Sequence, residues 1–209
     1  IAEVLRMVRE LERIDPQLLQ VVPMHGYRRE MLYADTGLPW VLPSPNMPTL
    51  ETAQVYPGGC LLEATNLSEG RGTTRPFELW GAPFVDGARL AQELCIAGAT
   101  LRPLWFQPTF HKFAGSPCGG VQVHVRELET FQPYACYLRL IAWAAAASKA
   151  FAFRTETYEY VSDRPAMDLL TGGPEFREAV QRGAVDEALL AWLCDPGDFA
   201  QRRQAWLLY

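Results

Sequence analysis

The sequence has 209 residues, of which 49% are hydrophobic and 21% charged, a balance typical of a globular protein that is long enough to bury a core. Its formal net charge of −5 argues against a polyanion partner, because nucleic-acid binding requires a basic face. Arg139 and Lys149 interrupt the most apolar stretch, so no segment offers the roughly 20 apolar residues that span a bilayer. We therefore expect neither a nucleic-acid partner nor a membrane span.

The first quarter of the chain predicts little regular structure beyond one helix. Apolar residues recur at helical spacing over residues 2–14, and Asp15–Pro16 ends that helix. Residues 18–24 predict a short strand. Five prolines between positions 39 and 57 exclude long regular elements, although Thr49 is a candidate N-cap for a helix of one or two turns.

The middle of the chain predicts strands around one helix. Residues 60–65, CLLEAT, and residues 77–81 are strand candidates. A helix is predicted from Asp86, its N-cap, to Gly98. Extended segments follow at 101–110 and 119–128, and the alternation of valine with polar residues in the second indicates a half-buried strand.

The last third of the chain predicts helices. An alanine-rich helix over residues 138–153 reads as buried, and shorter amphipathic helices follow to residue 206, separated by glycines. A strand-rich middle between helices predicts the α+β class, with a short mixed sheet flanked by helices.

Residues 68–78, SEGRGTTRPFE, form an unusually polar loop behind the apolar run CLLEAT. The spacing of its glycines fits neither the P-loop nor the dinucleotide motif, which argues against a nucleotide site. A structural turn is one explanation, with the glycines at positive φ and the threonines bonded to the backbone. A binding site is the other: carboxylates at Glu63, Glu69 and Glu78 suit hydroxyls or acid–base chemistry, and guanidinium groups at Arg71 and Arg75 suit an anionic ligand.

A second polar group of residues lies at His111 and Lys112, between two phenylalanines and ahead of a glycine-rich turn. A solvated surface pair is the alternative to a functional role. The three histidines lack carboxylates at ligand spacing, and the five cysteines form no CxxC pair, so we expect no metal site, disulfide framework or cofactor.

Three segments, taken in order, resemble the NamZ (YbbC-like) family. They read LPWVLPSPNMPTLETAQVYPGGCLLEATNLSEGRGTTRPFELWGAPFVD, then FQPTFHKFAGSPCGGVQVHV, then RPAMDLLTGG. The resemblance runs from about Val21 to Gly173. The family consists of bacterial exo-β-N-acetylmuramidases, so the resemblance implies a glycosidase that removes terminal N-acetylmuramic acid from peptidoglycan fragments.

The resemblance also implies a second domain. Family members carry a Rossmann-like N-terminal half, and their active site lies in a cleft between the halves. Residues 1–24 would then be a possible remnant of that half, and residues 25–209 would be the cleft-forming C-terminal α+β domain of a two-domain enzyme. Peptidoglycan as substrate implies a periplasmic or secreted enzyme, although the chain starts without a signal peptide.

The resemblance assigns roles to the polar residues. Glu63 and Glu69 are the catalytic candidates, with no basis for choosing between them, because glycosidases generally use two carboxyl groups. Arg71 and Arg75 would bind the lactyl carboxylate of the muramic acid in a common concavity. The remaining candidate substrate-binding residues are Tyr56, Asn66, Thr73, Thr74, Glu78, His111 and Lys112. The alternatives are a non-catalytic glycan- or anion-binding module and an interaction domain without a small-molecule site.

Overall fold

A computed structural model describes all 209 residues, which divide into two compact units. One unit combines residues 1–39 with residues 195–209, and the other comprises residues 40–194. The predicted site residues all belong to the second unit. No helix in the structure combines the length and the apolar character that crossing a membrane requires.

The first unit joins the two ends of the chain. Helix α1 (Ala2–Leu11) packs against the C-terminal 3₁₀ turn Arg203–Trp206, which follows a short helix at Phe199–Arg202. Arg6 Nη1 donates to the carbonyl of Trp206 over 2.9 Å. The strand predicted for residues 18–24 is wrong: the chain makes a 3₁₀ turn at Pro16–Leu18 and then continues without pairing, because no strand lies beside it.

The second unit contains a three-stranded sheet with six helices. The strands are β1 (Leu79–Ala82), β2 (Ala99–Phe106) and β3 (Cys118–Val125). The helices are α2 (Leu50–Gly59), α3 (Gly87–Glu93), α4 (Pro133–Ala147), α5 (Ala166–Thr171), α6 (Glu175–Arg182) and α7 (Glu187–Cys194). The α+β class is confirmed. The sheet is antiparallel in both pairings, with the order β1-β3-β2, rather than mixed as predicted.

The central strand β3 shows the predicted alternation. Val121 and Val123 are buried, whereas Gln122 is only partly buried and pairs with Leu79 and Arg102 of the neighbouring strands. The predicted caps are also present: the side chain of Asp86 accepts from two backbone amides at the start of α3, and Thr49 Oγ1 accepts from Thr52 N at the start of α2.

The segment CLLEAT is not a strand. It forms a 3₁₀ helix, Cys60–Ala64, that continues directly from α2 and buries Leu61, Leu62 and Ala64. Only the next residue, Thr65, pairs as an isolated bridge, with Phe153. A short apolar run does not distinguish a buried strand from a buried helical turn, which explains the error. The consequence for the site is that Glu63 projects from a helical turn.

Candidate active site

Two glycines shape the polar loop of residues 68–78. Gly70 and Gly72 have φ of 73° and 81°, in the left-handed region that glycine tolerates best. A Cβ at Gly72 would lie 2.6 Å from the backbone nitrogen of Phe110. The backbone nitrogen of Thr109 donates to the carbonyl of Gly72 over 3.0 Å. The loop therefore packs directly against the segment that carries His111 and Lys112, and the two polar groups predicted separately are neighbours.

Glu69 is the centre of the resulting cluster. Its side chain is 1% exposed and contacts three basic groups. Oε1 lies 3.0 Å from Arg71 Nε and 3.1 Å from His111 Nδ1, and Oε2 lies 3.0 Å from Lys112 Nζ. An ionised carboxylate this deeply buried requires such partners, because desolvation disfavours an unpaired charge. Glu69 therefore holds the cluster together and has little surface left for a ligand.

Glu63 occupies a different position on the same arginine. Its Oε1 accepts from Arg71 Nη2 over 2.8 Å, and its Oε2 accepts from the hydroxyl of Tyr158 over 2.9 Å. The Glu63 side chain is 16% exposed, in contrast to Glu69. One guanidinium group thus binds two carboxylates through neighbouring nitrogens, and only the Glu63 carboxylate is open to solvent.

The ammonium group of Lys112 has three partners. Its Nζ donates to the carbonyls of Leu62 and Leu67 over 2.9 Å and 3.0 Å, in addition to its ion pair with Glu69. Burial lowers the pKa of Lys112, and the negative charge of Glu69 opposes that shift. The contact between Lys112 Nζ and Glu69 Oε2, at 3.0 Å, is an ion pair without the alignment of a hydrogen bond. Lys112 therefore ties the polar loop to the helical turn behind it.

Aromatic rings border the cluster. The guanidinium of Arg71 lies 5.2 Å from the ring centroid of Phe77, and Tyr56 meets the same ring edge-on at 4.8 Å. Burial, followed by the charge of Glu63, raises the pKa of both Tyr56 and Tyr158. Both hydroxyls consequently stay protonated at neutral pH and can donate hydrogen bonds.

Arg75 and Glu78 belong to a second cluster. The buried carboxylate of Glu78 accepts from Thr52 Oγ1 over 2.9 Å and from Gln122 Nε2 over 3.3 Å, which ties β3 to α2. Arg75 Nη1 lies 3.6 Å from Glu78 Oε1, and its side chain is 43% exposed. Arg71 and Arg75 share no carboxylate, so the predicted site residues are divided between two clusters. The division arises because Thr52 and Gln122 hold the carboxylate of Glu78 beside the sheet.

Three further candidates differ in how much hydrogen-bonding capacity they retain. The amide of Asn66 donates to the carbonyl of Ala150 over 2.7 Å and accepts from Ala152 N over 3.0 Å. Thr73 Oγ1 donates to Gly70 O over 2.6 Å and accepts from the backbone nitrogen of Arg75. Thr74 is exposed. Asn66 and Thr73 thus support the loop backbone, and Thr74 is the candidate of the three whose side chain faces solvent.

Two open concavities of this unit lie away from the Glu63–Glu69 cluster. One of about 460 Å³ lies beside Trp105 and the start of α3, and one of about 760 Å³ lies among α4, α6 and α7. Glu63, Glu69 and Arg71 line neither. The larger concavity also contains an ion pair, Arg139 with Glu187, but that carboxylate is 79% exposed, whereas Glu69 is buried among basic groups. The cluster is therefore the stronger candidate for a site.

Tyr158, Thr52 and Gln122 are partners that sequence reasoning missed. Tyr158 lies 95 positions from Glu63 along the chain, and no motif marks it. Thr52 faces Glu78 from a helix, and Gln122 does so from a strand. No group of three or more metal-ligating side chains occurs in the structure.

Glycosidases generally use paired carboxyl groups, and in this α+β domain Glu63 and Glu69 both bind the guanidinium of Arg71. Family models for the exo-β-N-acetylmuramidase NamZ match the chain, the C-terminal model over residues 54–209 and the N-terminal model over residues 1–51. The chain belongs to this NamZ family. The assignment of residues 1–24 to a domain remnant stays a prediction.

Known proteins similar to the chain are longer than it. The chain is 38% identical over 195 residues to the peptidoglycan β-N-acetylmuramidase NamZ of Bacillus subtilis. The alignment covers 91% of the chain and 45% of that protein. The chain is also similar to the crystal structure of a DUF1343 family protein of Bacteroides fragilis, BF0371, with a TM-score of 0.83 and 26% sequence identity. The match covers all of this chain and 55% of the BF0371 chain. A second such protein, BF0379, matches with a TM-score of 0.67 at 23% identity, which supports the fold. The chain thus spans about half the length of these relatives.

Proposed function

We propose that the full-length protein is an exo-β-N-acetylmuramidase that removes terminal N-acetylmuramic acid from peptidoglycan fragments, and that this chain supplies part of the active site. The observation that carries the proposal is the partly exposed carboxylate of Glu63 on the guanidinium of Arg71, which the buried Glu69 holds from its other side. Glycoside hydrolysis generally uses two carboxyl groups near the scissile bond, and in this proposal Glu63 is one of them. The B. subtilis relative that bears this activity in its name is 38% identical to the chain.

Within this proposal the two glutamates take different roles. Glu63 has solvent access and contacts a tyrosine hydroxyl, so it is the group we assign to proton transfer or to contact with the sugar. Glu69 is enclosed by three basic groups and positions Arg71. His111 and Lys112 hold Glu69 in place, and Tyr56 and Thr74 are available to sugar hydroxyls.

The rest of the catalytic machinery belongs, in this proposal, to a Rossmann-like N-terminal half that closes a cleft over Glu63. A location outside the cytoplasm follows from the proposed peptidoglycan substrate. Hydrolysis of a chromogenic N-acetylmuramic acid glycoside by the full-length protein tests the activity, and the 209-residue chain alone should release little or no chromophore. Binding of the glycoside without any hydrolysis by the full-length protein would instead support a non-catalytic glycan- or anion-binding module.

Arg75 is the more accessible of the two arginines, with its side chain 43% exposed against 25% for Arg71. Its nearest carboxylate oxygens lie at 3.6 Å and 4.0 Å, whereas Arg71 makes two short hydrogen bonds to glutamates. An exposed guanidinium with open donors can bind the lactyl carboxylate of muramic acid through two parallel bonds. We therefore assign carboxylate recognition to Arg75.

Replacing Arg75 by lysine should lower kcat/KM for a muramic acid glycoside roughly tenfold, because an ammonium cannot form the planar two-point contact and a charged hydrogen bond is worth about 1.5 to 3 kcal/mol. An N-acetylglucosamine glycoside, which has no lactyl group, is the control substrate. Parallel steady-state kinetics on the two substrates check the assignment. An equal loss on both sugars would show that Arg75 supports the fold or the chemistry instead.

A further inference from the structure

Residues 158–161 form a tight turn with an unfavourable backbone. Tyr158 N donates to Val161 O over 3.1 Å, and Val161 N donates back to Tyr158 O over 2.9 Å, which leaves two residues in the loop. Those residues, Glu159 and Tyr160, have φ of 47° and 68°. Two hydrogen bonds around two residues at positive φ match the type I′ hairpin turn.

The residues in this turn are poorly suited to it. Type I′ turns favour Asn-Gly, Asp-Gly or Gly-Gly, because other side chains crowd the backbone at positive φ. The chain places a glutamate and a bulky tyrosine at these two positions. Local strain of this kind persists when surrounding structure enforces it, and it is concentrated at ligand-binding sites. Stability alone would therefore favour a different pair of residues.

The base of the turn is fixed to the candidate active site. The hydroxyl of Tyr158 donates to Glu63 Oε2 over 2.9 Å. The guanidinium of Arg154 lies 5.6 Å from the centroid of the Tyr158 ring and donates from Nη2 to the carbonyl of Thr157 over 3.0 Å. These contacts hold the turn at the border of the Glu63–Glu69 cluster.

The tip of the turn presents an aromatic ring to solvent. Tyr160 is 98% exposed, although a tyrosine ring normally buries much of its apolar area. The ring is therefore fully exposed at the tip of a turn whose backbone is strained and whose base is fixed. A flat, partly apolar ring on a turn whose base contacts Glu63 suits the apolar face of a pyranose ring.

We propose that Tyr160 is a substrate-recognition residue, whose ring stacks against a sugar ring of the glycan when its glycosidic bond lies at Glu63. This inference rests on the proposed glycosidase function and extends it to a residue that the polar motifs do not include. The turn fixes the backbone that carries the ring, so less of the chain has to become ordered on binding.

Three variants of Tyr160 in the full-length protein test the inference, with a disaccharide of N-acetylmuramic acid and N-acetylglucosamine as substrate. Tyr160→Ala should lower kcat/KM about three- to tenfold, mainly through KM, which is the range expected for an aromatic stacking contact. Tyr160→Phe should stay within twofold of the wild type, because stacking does not need the hydroxyl. Tyr160→Gly should show the same loss as alanine with an unchanged or higher Tm, because glycine relieves the strained φ.

Trp192 supplies the control. It is 59% exposed on α7, and Trp192→Ala should leave kcat/KM unchanged. If the wild type hydrolyses the disaccharide and Tyr160→Gly does so with the same kcat/KM, the inference is overturned and the proposed function stays intact. If the wild type binds the disaccharide without turnover, calorimetric affinity replaces kcat/KM and the same ranking of variants is expected. Absence of both turnover and binding would contradict the function and the inference together.

Discussion

Glu63→Gln should lower kcat of the full-length protein at least 100-fold on an N-acetylmuramic acid glycoside. A positioned general acid or base contributes about 10² to 10⁴ in rate, and an amide can neither give nor take the proton. The substitution preserves the shape of the side chain, so its oxygen can still accept from Arg71 or Tyr158, which contact it at 2.8 Å and 2.9 Å. We therefore expect a small change in KM and a Tm close to that of the wild type.

Glu78→Gln is the matched control for this prediction. Glu78 is also a carboxylate beside an arginine, but it is buried and its partners are Thr52, Gln122 and Arg75. The same chemical change there should leave kcat within about threefold, since no proton transfer depends on it. More than a tenth of wild-type kcat in Glu63→Gln would remove this residue from the chemistry.

The sequence was sufficient to predict elements whose pattern is local. The alternation around Val121 and Val123 predicted β3, and the Asp86 cap predicted the start of α3. The run CLLEAT was predicted wrongly, because its length and apolar character fit a strand or a helical turn equally well. Its true state depends on α2, from which the 3₁₀ helix continues without a break.

The sequence allowed us to predict which residues belong to the site, but not which of them contact one another. The polar loop and the His111–Lys112 pair were both visible in the sequence, but their meeting at Glu69 depends on how Gly72 packs against Phe110. Asn66 looked like a ligand residue, whereas its amide bonds to the backbone of residues 150 and 152. Which polar side chains remain free for a ligand is decided by long-range contacts, and a single sequence contains no local signal for them.

Lys112→Met should destabilise the protein by about 3 to 5 kcal/mol, the usual cost of removing one partner of a buried ion pair. Methionine fits the aliphatic path of lysine but leaves the carbonyl of Leu67 without its donor and Glu69 Oε2 without its counter-charge. The carbonyl of Leu62 loses one donor and keeps those of Thr65. Chemical denaturation followed by tryptophan fluorescence measures the change. The exposed Lys149, which makes no ion pair, provides the control, and Lys149→Met should change stability by less than about 0.5 kcal/mol.

A double-mutant cycle with Glu69→Gln separates the ion pair from simple loss of packing. If the charges of Lys112 and Glu69 depend on each other, the double variant should be more stable than the sum of the single losses predicts, by about 1 to 3 kcal/mol. The recovery should be incomplete, because Arg71 and His111 also lose their charged partner when Glu69 becomes an amide. Strict additivity would mean that Lys112 acts through its two carbonyl contacts alone. In that case Glu69 would be held by Arg71 and His111, and the assignment of Lys112 to the positioning of Glu69 would be wrong.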